Sequence, residues 1–138
     1  MDEIKSTDFI EYQTIQAAID AAMDGDTVLA ADGTYTGSGN KNILFYGKAI
    51  TVKSENGPWN CIIDGENNGR GFNFTNEEGE NSVLSGFTII NGYAGLSDVG
   101  FTGGGINCHY FSSPTIIDCV PFLHVSIQKA NFASDYRL

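Results

Sequence analysis

Basic residues are scarce in this chain: seven Lys and Arg stand against seventeen Asp and Glu, a formal net charge of −10 over 138 residues. A surface of that sign repels phosphate backbones and anionic headgroups, which argues against nucleic acid as a partner. Cysteine is limited to Cys61, Cys108 and Cys119. They are too few and too far apart for a disulfide framework, and no CxxC pair points to zinc, so they read as small buried hydrophobes. No apolar run approaches the ~20 residues of a membrane-spanning helix. The opening Met1-Asp2-Glu3-Ile4-Lys5 lacks the basic and apolar stretches of a secretory signal, so either an internal protein or a trimmed fragment is expected. Disorder is excluded by the 41% hydrophobic and 12% aromatic content. The length suits one domain, residues 1–138, because separate cores need ~100 residues or more each.

Gly, Asn and Asp are abundant, at seventeen, twelve and ten residues against three Pro. That mixture predicts many turns joining short extended pieces. One segment has a helical period: Ile15, Ala18, Ile19, Ala22 and Met23 recur at three- and four-residue spacing, with Thr14 to cap the start and Gly25 the end. A helix over about residues 14–24 is expected, its alanines letting it lie flat against the end of a sheet. After Asp26 the texture changes to short β-branched and aromatic runs, among them Thr27-Val28-Leu29-Ala30, Ala49-Ile50-Thr51-Val52-Lys53 and Gly86-Phe87-Thr88-Ile89-Ile90. All are strand-sized, and none has a helical period.

Many short strands fit either a sandwich or barrel of hairpins, or a solenoid that stacks strand on like strand. Internal repetition favours the solenoid. Phe87-Thr88-Ile89-Ile90-Asn91 and Pro114-Thr115-Ile116-Ile117-Asp118 share a Thr-Ile-Ile-Asn/Asp pattern at an offset of 27 residues, and Cys61-Ile62-Ile63-Asp64 looks like an earlier copy. A second series, Asn42-Ile43-Leu44-Phe45, Gly71-Phe72-Asn73-Phe74 and Gly104-Gly105-Ile106-Asn107, recurs at roughly 30 residues. Asn91, Asn107 and Asp118 are candidates for turn positions where side chains tie one coil to the next. They also serve as ordinary turn residues.

The stretch from Tyr12 to Ala22 with Gly25-Asp26-Thr27-Val28 and Asp32-Gly33-Thr34-Tyr35 resembles the opening of right-handed parallel β-helix proteins of the pectate-lyase-like superfamily. Ile50 to Pro58, Cys61-Ile62-Ile63-Asp64-Gly65 and Ser85 to Gly92 are similar to repeat-rich β-helix domains of microbial surface and secreted proteins. Gly103-Gly104-Gly105-Ile106 is similar to a tetrapeptide of polymorphic outer-membrane protein repeats. The likeness spans about residues 12–119. It implies an all-β fold, a short right-handed parallel β-helix (solenoid) of about four to five coils with an N-terminal capping α-helix. Coils are expected over about residues 26–119, followed by an atypical C-terminal segment, 120–138. The resemblance also implies an extracellular or cell-surface location.

That superfamily includes lyases, esterases and hydrolases beside adhesins, so activity must be sought in particular residues. Lyases of the group hold Ca²⁺ on carboxylates and use a basic residue as proton acceptor. Asp64 and Glu66 would share a strand face, with Arg70 close behind, which makes them candidates for an ion or glycan site. The same residues make a solvated turn. Asp24-Gly25-Asp26 is a second place with carboxylates for Ca²⁺, and equally a helix exit. The catalytic segment of pectin methylesterases has no counterpart, and Asp98 and His109 match no hydrolase motif. Glu77-Glu78-Gly79-Glu80 reads as an exposed loop, with nothing apolar around it to shift a carboxylate. Trp59, Tyr93, Tyr110 and Phe111 are placed to stack on sugars.

The expectation is therefore a non-catalytic surface or secreted module, with no catalytic residue and no cofactor beyond a possible Ca²⁺, binding a polysaccharide or a surface protein through its side wall. Its binding candidates are Asp64, Glu66, Arg70, Trp59, Tyr93 and Tyr110. The rival expectation is a fragment of a carbohydrate-active enzyme lacking its catalytic coils. Self-association through an open C-terminal coil is a third expectation, since an uncovered coil offers unpaired backbone groups.

Overall fold

The computed structural model describes residues 10–94, 104–121, 125–127 and 131–132. The one α-helix among these residues, α1 (Ile15–Ala21), begins as the sequence suggests, with the Thr14 hydroxyl accepting from the Ala17 N–H at 3.1 Å. It ends earlier than the apolar stripe implies, at Ala22 rather than Gly25. Lys48 holds that end, its ammonium donating to the carbonyls of Ile19, Asp20 and Ala22 at 2.7, 2.9 and 2.8 Å. Past the helix, Asp26 accepts from the Met23 N–H and Asp24 from the Ala49 N–H. Asp24-Gly25-Asp26 is thus a hydrogen-bonded turn. Lys48→Met should cost about 1–2 kcal/mol, because three carbonyls lose a charged donor, and thermal unfolding would read this as a lowered midpoint.

The rest is mostly strand. β1 (Thr27–Ala30), β2 (Gly33–Tyr35) and β3 (Ile43–Leu44) come first, followed by β4 (Thr51–Ser54), β5 (Cys61–Asp64) and β6 (Phe72–Phe74). Next come β7 (Val83–Ser85), β8 (Thr88–Ile90) and β9 (Ile106–Cys108), then β10 (Thr115–Ile117), β11 (Val120–Pro121), β12 (Val125–Ile127) and β13 (Asn131–Phe132). Each strand pairs in parallel with the third strand after it, which gives three sheets ordered β1-β4-β7-β10-β13, β2-β5-β8-β11 and β3-β6-β9-β12. The chain visits the three sheets in turn, so each set of three strands forms one level. β11, β12 and β13 extend the same three sheets, although no repeat pattern marks the sequence after Cys119.

Register corrects one reading of the repeats and agrees with the other. The second series marks three strands of one sheet, in which Ile43, Phe72 and Ile106 are direct partners, the third copy one residue out of line with the series. The two Thr-Ile-Ile copies are not partners. Thr115-Ile116-Ile117 pairs with Val83-Leu84-Ser85, whereas Thr88-Ile89-Ile90 lies in another sheet beside Ile62-Ile63-Asp64. Alternation fits any strand with one face inward, so a shared triplet does not identify a shared sheet.

Inward side chains stack level on level. Val28, Val52, Leu84 and Ile116 form one buried column and Ile43, Phe72 and Ile106 another, within a single hydrophobic cluster. Phe45 and Phe74 from successive levels meet at 4.8 Å between ring centroids, and Phe72 and Phe87 at 5.5 Å. The three cysteines are buried and free. Ile15 and Ile19 of α1 join this core, and the helix lies against β1 and β3. Gln16 acts as a substitute strand: its amide donates to the Leu44 carbonyl at 2.9 Å and accepts from the Leu44 N–H at 2.8 Å, closing the edge of β3.

Candidate functional site

Asp64, Glu66 and Arg70 lie together at the corner between β5 and β6. Asp64 ends its strand, and its carboxylate accepts from the Glu66 N–H at 2.8 Å and the Asn91 amide at 3.1 Å. Glu66 has a positive φ of 54° and an exposed side chain. Its carboxylate accepts from the Gly37 N–H at 2.6 Å and from the Lys41 ammonium at 3.2 Å, and Lys41 also donates to the Asn68 amide oxygen. Asn42 and Arg70 exchange backbone contacts, the Asn42 side chain accepting from the Arg70 N–H at 2.8 Å. Arg70 is half-buried, and burial lowers its pKa. The corner admits only glycine at position 65, where a Cβ would lie 2.5 Å from the Gly69 carbonyl oxygen and 2.6 Å from that of Asn91.

These bonds connect three levels and occupy both carboxylates. The Gly37 N–H foremost, and then Lys41, hold Glu66 below the usual carboxylate range. A carboxylate lowered by folding stabilises the fold above its ordinary pKa, and that contribution fades as pH falls through its lower folded value. Lys41→Met should move the Glu66 titration part of the way back up, observable by carbon-detected NMR, while the Gly37 contact keeps it below the ordinary range.

The aromatic candidates are dispersed. Trp59 sits in a 3-10 turn, Pro58–Asn60, before β5, and is 70% exposed. That turn covers β8, where the Thr88 hydroxyl donates to the Pro58 carbonyl at 2.7 Å. Tyr93 is exposed, and its N–H donates to the Gly69 carbonyl, joining it to the Asp64 corner. Tyr110 follows β9 with its ring 4.2 Å from that of His109. The structure thus brings Asp64, Glu66, Arg70 and Tyr93 to one corner and leaves Trp59 and Tyr110 on the other two. Asn91 and Asp118 occupy positive-φ turns, whereas Asn107 lies within β9 and donates to Asn73 of β6 at 3.2 Å. Asp98 falls outside the described residues.

A second corner, between β6 and β7, departs from its sequence reading. Glu78 is 1% exposed rather than part of an exposed loop. Its carboxylate accepts from the Gly47 N–H of the level before at 2.7 Å, from its own loop's Asn76 N–H at 2.9 Å, and from the Ser112 hydroxyl of the level after at 2.9 Å. Gly47, Glu78 and Ser112 are therefore neighbours on consecutive levels. The residues preceding them, Tyr46, Glu77 and Phe111, all have positive φ, 56°, 59° and 62°, and all three are exposed. All three lie at the same corner on consecutive levels, so two strand spacings, about 10 Å, separate the backbone levels that carry the two rings. Sequence reasoning missed Tyr46 and Glu77; the signal was their shared place two or three residues after each strand of the second repeat series.

Chemistry beyond this is limited among the described residues. Burial pushes the thiols of Cys61, Cys108 and Cys119 each up to about 12, which keeps them protonated and unreactive at neutral pH. No group of three or more His, Cys, Asp or Glu side chains that could hold a metal ion occurs among the described residues. No helix among them is long and apolar enough to cross a membrane. The chain matches no protein-family model, no curated protein and no solved structure.

Proposed function

We propose that the chain is a short right-handed parallel β-helix, capped at its first level by α1, that works as a non-catalytic surface or secreted module binding neutral polysaccharide along a side wall. The cyclic use of three parallel sheets supports the solenoid, as does the packing of α1 against the first strands of two of them. The exposed Tyr46, Glu77 and Phe111, at one corner of three consecutive levels, carry the binding reading. Rings on levels about 10 Å apart suit successive sugar faces along a chain, and a carboxylate on the level between them accepts from hydroxyls. A net charge of −10 favours neutral over uronate polymers. Binding rather than turnover fits the carboxylates of the neighbouring corner, Asp64 and Glu66, which are already hydrogen-bonded within the protein. A surface or secreted location rests on the resemblance of residues 12–119.

Affinity electrophoresis through gels containing neutral β-linked glucans or mannans, with an acidic pectin as control, tests this. The full chain should be retarded by a neutral polymer, and Tyr46→Ala and Phe111→Ala should each weaken retention by up to about tenfold. Equal retention of both variants, or depolymerisation of the polysaccharide, would overturn the reading.

A further inference from the structure

The first level ends differently in the first and third sheets. β3 has its edge closed by Gln16. β1 does not. Its Asp26 and Ala30 carbonyls accept from the Thr51 and Glu55 N–H groups of the next level. Alternate residues of a parallel ladder face the same neighbour, so Val28 joins them and Thr27 and Leu29 aim their N–H and C=O groups the other way. Among the described residues those groups make no hydrogen bond outside the ladder. They open onto a groove of about 910 Å³ between α1 and β1, with Ala18, Ala22 and Val28 among its apolar lining. Among the described residues its charged lining is Glu11, Asp26 and Glu55, with no Lys or Arg.

We propose that this groove accepts a short extended cationic peptide, which adds to β1 as an outer strand. Thr27 and Leu29 offer two donors and two acceptors in the strand repeat, the recognition that an added strand needs. A four-residue strand such as β1 suits a partner of about four or five residues. Successive side chains of that partner fall on opposite faces, so apolar residues meet the alanines of α1 while basic ones meet the acidic rim. Charge selects against the alternatives. A second copy of this chain brings its own −10 to an acidic groove. The chain's own first nine residues, with three acids and one Lys, are also net negative.

Fluorescence anisotropy with labelled Lys-Val-Lys-Val-Lys and the intact chain provides the test, with Glu-Val-Glu-Val-Glu and a backbone N-methylated basic peptide as controls. Only the unmethylated basic peptide should bind, and less tightly as salt rises. Leu29→Pro removes an N–H that the sheet does not use, which an edge strand tolerates, and should weaken binding about tenfold. Glu55→Gln keeps the side chain's shape and should weaken it about threefold. In amide exchange, Thr27 and Leu29 should exchange fast in the free chain and gain protection with the peptide. Binding of the acidic or methylated peptide would overturn the proposal. So would protection of both amides without any peptide, the sign that a second copy or residues 1–9 already fill the groove.

Discussion

Glu78→Ala should lower stability by about 3–5 kcal/mol, a large part of the roughly 5–15 kcal/mol that holds a domain folded. The Gly47 N–H, the Asn76 N–H and the Ser112 hydroxyl all lose their acceptor, and the site they surround is buried. Each buried donor left unpaired costs about 1–3 kcal/mol, and entering water recovers a share of that. Glu78→Gln should cost less, about 2 kcal/mol: its carbonyl still serves Asn76 and Ser112, but its amide sets a donor against the Gly47 donor. Ser112→Ala should cost about 1 kcal/mol, and combined with Glu78→Ala it should add almost nothing, because both remove one contact. Urea unfolding followed by circular dichroism measures the series; exposed Trp59 is a poor fluorescence probe of the core. Full additivity of the double variant would show that Glu78 does not bind Ser112.

Phe74→Ala should cost about 3–5 kcal/mol through the cavity it leaves. Phe74 is fully buried, and its ring meets Phe45 of the level before, while its register partner in the level after is Cys108. Removing it therefore damages the interior across neighbouring levels at once. Phe74→Leu refills much of the volume and should cost less than half as much. By contrast, Phe111→Ala should leave stability within about 0.5 kcal/mol, since that ring is 84% exposed. The unfolding midpoints of the three variants separate interior columns from the exposed corner assigned to binding.

Local chemistry was the legible part of the sequence. Thr14 announced the helix start, and the Gly-, Asn- and Asp-rich spacers announced the turns. The series of Ile43, Phe72 and Ile106 showed which strands share a sheet. The Thr-Ile-Ile repeat was right for Cys61–Asp64, which pairs with Thr88–Ile90, and misled for Thr115–Ile117, because loops between partnered strands vary in length: Thr51 follows its partner Thr27 by 24 residues, and Val83 follows Thr51 by 32. A fixed offset then carries the eye from one sheet to another. Lys48 gave no sign of ending α1, because its three acceptors are 26 to 29 positions away in sequence. Glu78 sits among acidic neighbours and looks solvated, and its burial depends on Gly47 and Ser112 from adjacent levels. The corner of Tyr46, Glu77 and Phe111 was hidden for a related reason: its left-handed turns carry Tyr, Glu and Phe where glycine is the usual marker.

Parallel stacking in this particular register underlies both the proposed wall and the proposed strand edge, and paired cysteines test it directly. Ser85 and Ile117 are partners in neighbouring strands. Their Cα atoms should stand about 4.8 Å apart, within the span of a disulfide. Ile90 and Ile117 occupy the same place in the two Thr-Ile-Ile copies but lie in different sheets. Under mild oxidation, with Cys61, Cys108 and Cys119 buried, peptide mass mapping should find a bridge in Ser85→Cys/Ile117→Cys and none in Ile90→Cys/Ile117→Cys. A bridge in the second pair and not the first would contradict the register and everything built on it.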